Sequence, residues 1–192
     1  MTILRLSLLA LMLLLPTLGQ AQTRAATLRP PVSPACVSSP FGPRLLPNHP
    51  RAVGFHNGID LPAPLGTRVR AVAPGTLIRV QRHGVGGLEM LVQHDGFVGV
   101  YSHLGLIAPP ILEGQRTVQA GEWLGTVGMS GLTYGPHLYF GMLVGDQPVD
   151  PAPFLRITAC GGAPVVRDER IPPSRLTGVT THLAISRTGL PR

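Results

Sequence analysis

The sequence predicts an all-β fold, a compact hybrid of sandwich and barrel built from short antiparallel strands with long loops. Three observations point there. Runs of β-branched and apolar residues recur in short pieces, each ended by turn residues. No stretch longer than about ten residues keeps a helical period. The 24 glycines and 21 prolines are enough to close every run with a tight bend.

Taken in order, six segments carry the pattern. "RVRAVAPG" (68–75) alternates arginine with apolar residues and stops at Pro-Gly. "GTLIRVQRHG" (75–84) and "GLEMLVQHDG" (87–96) follow, the second ending in Asp-Gly, a strong hairpin signal. "FVGVYSHLG" (97–105), "EWLGTVG" (122–128) and "HLYFGMLVG" (137–145) complete the set. Each is about four to eight residues of strand closed by a turn.

The flanks differ in composition. Residues 1–21 hold one charge, Arg5, an apolar run from Leu6 to Leu15, then Pro16 and small residues up to Ala21. This reads as a secretory signal peptide, the apolar run being too short to cross a hydrocarbon core of ~30 Å; an uncleaved anchor is the other reading. Residues 22–35 are proline-rich and polar and read as a linker. The domain proper is expected over 36–160, and residues 161–192 form a basic tail of little periodicity. No later segment is apolar enough to span a membrane, so the mature chain is expected in the periplasm or outside the cell, without a stable span.

All sixteen basic residues are arginine, and loss of Arg5 with the leader lowers the net charge from +7 to +6. An exported basic protein suits an anionic partner such as cell-wall polymer or acidic lipid. Nucleic acid is not expected, because no dense arginine cluster or aromatic-studded basic strand is present. Cys36 and Cys160 bracket the domain. In an oxidising compartment they read as one disulfide joining its ends, with two free thiols as the alternative. They are too far apart in sequence for a structural zinc site.

The chemistry-bearing residues begin with "HNGIDLPAP" (56–64), where His56 precedes Asp60 by four. Imidazole nitrogen and carboxylate oxygen both suit zinc, but the pair alone is weak evidence and a solvated turn before a strand accounts for it more simply. His103 lies in "VYSHL", and His137 opens "HLYFGML", where strand alternation puts Tyr139 on the same face as His137. Of the remaining histidines, His94 is expected exposed in a hairpin turn, His49 and His83 in polar loops and His182 in the tail; His49 remains within possible reach of a metal. Trp123 reads as core rather than as a substrate platform.

In order, "SSPFGPR", "FHNGIDLPAPLGTRVRAVAPGTL", "VQHDGFVGVYSHL", "GEWLGTVGMSGLTYGPHLYFGM" and "PVDPAPFL" resemble the landmarks of the lysostaphin-like, or LytM-type, zinc endopeptidases of peptidoglycan, over about residues 38–155. The resemblance implies one zinc ion held by His56, Asp60 and the residue at position 139, with His103 and His137 as catalytic residues beside the attacking water. It also implies peptidoglycan as partner. Where the family has its third ligand, a histidine, this chain has Tyr139. Catalytic zinc needs three protein ligands and one open position, and a phenol of ordinary pKa ~10 ligates only after losing its proton.

Two functions follow from that departure. One is a zinc metalloendopeptidase cutting cross-link peptides. The other is an impaired relative that holds wall peptide or regulates a cell-wall amidase. A third likeness, of "RAVAPGTLIRV" and "VQAGEWLGTVG" to biotinyl or lipoyl carriers, fails because those attach their cofactor to lysine and the chain has none. "HNGID" is also similar to a stretch of sugar-transport phosphocarriers, which work in the cytoplasm, against the export signal.

Overall fold

The computed structural model describes residues 28–44 and 54–162. The expected signal peptide, most of the expected tail, His49 and His182 lie outside the described residues.

The all-β expectation holds. Twelve strands run in chain order among the described residues: β1 (Gly42–Arg44), β2 (Gly54–His56), β3 (Gly58–Pro62), β4 (Arg68–Arg70), β5 (Gly75–His83), β6 (Gly87–His94), β7 (Phe97–Ser102), β8 (Leu104–Ile107), β9 (Thr117–Val118), β10 (Trp123–Val127), β11 (His137–Val144) and β12 (Gln147–Val149). Two single-turn helices, α1 (Pro109–Leu112) and α2 (Ala152–Leu155), are too short to show a helical period in sequence.

The strands pair antiparallel in three sheets. The largest has the order β12-β11-β7-β6-β5-β9, and β3 joins it by pairing with the first half of β11. A second sheet has the order β4-β10-β8, and β1 and β2 form a small third. Among the described residues no sheet closes on itself, so their architecture is open sheets rather than a barrel.

Alternation decides which face of the large sheet is core. Ile59 and Leu61 of β3, Leu138, Phe140 and Met142 of β11, Tyr101 of β7, and Met90 and Val92 of β6 are buried on one face. They join Val69, Leu104, Leu124 and Val127 of the second sheet in one continuous apolar cluster. The residues that alternate with them, Asp60, Tyr139, Ser102 and Glu89, therefore point to the opposite face. In β5 a bulge between Leu77 and Arg79 adds one residue and resets the register, so that Gln81 lies opposite Glu89.

Four local expectations are corrected. Residues 28–35, read as linker, pack on the domain: Leu28 and Val32 are buried, and the Arg29 and Arg70 amides donate to the Val72 and Pro31 carbonyls. The prolines suit this path because it needs few ladder bonds. The first predicted strand stops at Arg70; beyond it Ala71, Val72 and Ala73 stay buried without continuing the ladder. His94 is inside, only 3% exposed. It is the last residue of β6 and in step with Met90 and Val92, so the strand period carries it inward before the turn begins. Trp123 is half-buried rather than core, with the Arg68 guanidinium 4.9 Å from its ring centre.

Cys36 and Cys160 are joined by a disulfide, as expected. Around it Val37 and Ala159 form a parallel bridge, and the Cys160 amide donates to the Val37 carbonyl. The two ends of the domain are thus tied side by side.

Candidate functional site

The non-core face of the large sheet floors a cleft of about 500 Å³. Its floor is a polar row crossing five strands. Asp60 of β3 pairs with Tyr139 of β11, which pairs on its other side with Ser102 of β7. The Ser102 hydroxyl donates to Glu89 Oε2 of β6, and Glu89 pairs with Gln81 of β5. His56, His83, His103 and His137 line the same cleft, and Phe55, Val85 and Tyr134 form exposed apolar parts of its rim. His83, expected in a loop, closes β5 at the edge of the cleft.

Three imidazoles are held alike. Nδ1–H of His56 donates to the Pro40 carbonyl at 2.9 Å, that of His103 to Ser130 at 2.9 Å and that of His137 to Gly135 at 2.8 Å. Each ring therefore turns Nε2 away from its backbone partner. Fixing one ring nitrogen in this way sets tautomer and orientation, as ligand and catalytic histidines require.

His103 stands where the chain leaves the large sheet for the second. Its φ of 62° lies in the left-handed region, costly for a side chain with a Cβ. The conformation is held by its amide donating to Gly86 and its carbonyl accepting from Gly128. Burial pushes the imidazole below the ordinary histidine range, so it is neutral at neutral pH. Its ring centre is 4.7 Å from that of His137.

Asp60 is the junction. Its Oδ2 accepts from Arg44 Nη2 at 2.6 Å, and its Oδ1 lies 3.2 Å from His56 Nε2 and 3.6 Å from His137 Nε2. Although burial opposes ionisation, His56, His137 and Arg44 together hold the carboxyl below its usual value. Tyr139 completes the floor. Its ring lies against the backbone at Gly58, where an added Cβ would sit 2.7 Å from the ring and 2.6 Å from the Phe140 carbonyl. Burial, with the nearby carboxylates, pushes its hydroxyl up to about 12.

The fold thus brings together all five site residues expected from sequence: His56, Asp60, His103, His137 and Tyr139. As donors for zinc they fit in part. His56 and Asp60 offer an imidazole nitrogen and a carboxylate oxygen to one region, but Tyr139 would have to surrender a proton it holds more tightly than free tyrosine does. Among the described residues no three His, Cys, Asp or Glu side chains come together as a metal-holding group. Sequence reasoning missed three further cleft residues, Arg44, Glu89 and Ser102. Glu89 had a signal: a carboxylate at the centre of an otherwise apolar strand run.

The described residues thus bring histidines and an aspartate together on an open sheet face of a β-domain. The chain belongs to peptidase family M23, whose family model matches residues 54–151. It is 38% identical over 118 residues to the DD-carboxypeptidase/endopeptidase Mpg of Neisseria meningitidis, covering 60% of this chain and 26% of that protein. Against the peptidoglycan DD-endopeptidase ShyA of Vibrio cholerae it is 32% identical over 133 residues, covering 69% and 30%. The chain therefore spans less than a third of the length of these relatives. Among solved structures it is similar to a zinc-containing peptidase from Vibrio cholerae, with a TM-score of 0.57, 28% identity and coverage of 69% of this chain and 40% of that one. The catalytic domain of lysostaphin from Staphylococcus simulans gives a TM-score of 0.55 at 28% identity, covering 64% and 92%.

Proposed function

We infer that this chain is an exported, peptidoglycan-directed endopeptidase domain acting on cell-wall cross-link peptides, in the periplasm or outside the cell. The observation that carries the reading is the convergence of His56, Asp60, His103 and His137 on one open, peptide-sized cleft of an M23 domain. The names of the relatives, which act on peptidoglycan as DD-endopeptidases, support the substrate class.

His56 and Asp60 would hold a zinc ion, with Tyr139 as a weak third donor. When bound, zinc supplies a Lewis acid and lowers the pKa of a water to ~7. The chain's own residues supply the rest. His103, neutral through burial, presents Nε2 as a proton acceptor for an attacking water. His137, 15% exposed at its side chain and beside Asp60, would steady charge growing on the peptide carbonyl oxygen as the imidazolium, whose Nε2–H donates while Nδ1–H stays on Gly135. Arg44 holds Asp60 in place and keeps its carboxylate charged. The sheet floor excludes water from below.

The test is incubation of the mature protein with purified sacculi, with and without added zinc, followed by analysis of released fragments and of bound metal. Zinc-dependent release that disappears in His56→Ala is the expected result. Retention on sacculi with no release and no bound zinc would replace the enzyme by a module that holds wall peptide or serves a separate amidase.

A further inference from the structure

The far end of the polar row points to a function of its own. Glu89 is buried in the cleft floor, its side chain 8% exposed. Gln81 Nε2 donates to its Oε1 at 2.6 Å and the Ser102 hydroxyl to its Oε2 at 3.0 Å. Both partners are neutral. The nearest group that can carry positive charge is His83, with Nδ1 at 3.4 Å and a side chain 70% exposed; Arg79 reaches only Gln81, at 3.2 Å. Asp60, at the other end of the row, has Arg44 directly on it. One carboxylate of the cleft is therefore neutralised by a guanidinium and the other is not.

A buried carboxylate whose two hydrogen bonds both come from neutral donors, with only the exposed His83 beside it, gains from a cation that completes it. Glu89 lines the cleft, so a bound ligand reaches it from there. Gly86 passes directly over the carboxylate, and an added Cβ there would meet Oε2 at 2.6 Å. The same Gly86 accepts the His103 amide, so the turn roofing Glu89 is also the one that sets His103. Three strand spacings separate Asp60 from Glu89 along the row, about 14 Å, or roughly four residues of extended peptide.

The geometry points to Glu89 as the recognition site for a primary ammonium on the bound peptide, about four residues of extended chain from the Asp60 end. The inference rests on the reading that the cleft holds cell-wall peptide. A carboxylate with two of its lone-pair sites used can still accept from an ammonium, and Gln81 and Ser102 hold it in place for that contact. Glu89 so acts in specificity, apart from His103 and His137, which face the scissile bond.

Purified disaccharide–peptide fragments of cell wall, with their amines either free or acetylated, are the probes. Binding is measured by calorimetry on the full chain and on Glu89→Gln, which keeps the shape and removes the charge. The wild-type chain should bind the free-amine form about ten-fold more tightly than the acetylated form. Glu89→Gln should bind both forms alike, at the weaker affinity. Equal binding of the two forms by the wild type would overturn the role of Glu89 while leaving the peptide cleft standing. So would an equal loss for both forms in Glu89→Gln, the mark of a merely structural residue. No binding of either form by the wild type would overturn the cleft reading itself, and the inference with it.

Discussion

At Tyr139 one side chain separates this site from a three-ligand metal centre. The residue shares its face with His137, is paired with Asp60, and its ring centre is 5.4 Å from that of His56. Tyr139→His should therefore raise zinc binding towards one equivalent, measured by metal analysis of the folded protein, and increase any release of fragments from sacculi. Adding His56→Ala should reverse both. A folded Tyr139→His protein with unchanged zinc affinity would show that residue 139 and the His56–Asp60 pair do not share a metal. Gly58 is constrained by the same ring. Gly58→Ala should lower stability by about 1–3 kcal/mol through overpacking, seen as a lower urea midpoint. His94 gives a pH dependence. Its Nδ1–H donates to Pro74 and its Nε2 accepts from the Tyr101 hydroxyl, which itself accepts the Val72 amide. Burial lowers its proton affinity in the fold below the ordinary value of 6.5, so the unfolded chain takes up the proton first. Stability from neutral His94 is complete above pH 6.5 and is lost as pH falls through the folded value. Thermal melts from pH 7.5 to 5 should show a shallower acid slope in His94→Gln than in the wild type; equal slopes would remove His94 as a cause.

Among the elements, the tie between the two ends of the domain is the most exposed to test. The disulfide spans a sequence separation of 124 and is flanked by the Val37–Ala159 bridge. Closing so long a loop stabilises a domain by roughly 2–5 kcal/mol. Reduction, or Cys36→Ser with Cys160→Ser, should lower the unfolding free energy by about that amount. Protein isolated from the periplasm should contain no alkylatable thiol before reduction. The site is expected to feel the loss as well, because the Ser38 amide donates to the Asp60 carbonyl and the Asp60 amide to the Ser39 carbonyl close to Cys36, while Tyr139 and Ser102 are registered by β11 and β7.

For the molecule as a whole, charge sets the mode of approach to its partner. The chain carries +7 overall, and β4 exposes Arg68 and Arg70. Among the described residues only Arg44 of the arginines forms an ion pair with a carboxylate. Retention on purified sacculi should therefore be strong at low salt and weaken as salt shortens the screening length to ~8–10 Å and below. Mature protein that stays in the supernatant at low salt would remove the main support for a cell-wall partner. Salt should act far less on the Arg44–Asp60 pair, whose side chains are only 19% and 14% exposed.

By itself the sequence determined the fold class and singled out five of the residues that line the candidate site, because both depend on short-range regularities. Period-two runs ended by glycine and Asp-Gly announced β5, β6, β7, β10 and β11, and the ordered motifs singled out His56, Asp60, His103, His137 and Tyr139. Short strands such as β1, β8 and β9 left no such trace, since two to four residues carry too little pattern. Only the tertiary structure decided what stands beside what. Cross-strand register lined Asp60, Tyr139, Ser102 and Glu89 into one row, although they come from β3, β11, β7 and β6. Packing turned His94 inward and laid residues 28–35 on the core. The left-handed turn at His103 aimed its ring into the cleft. Each of these depends on contacts between residues distant in the chain, and those contacts exist only once the sheets have formed.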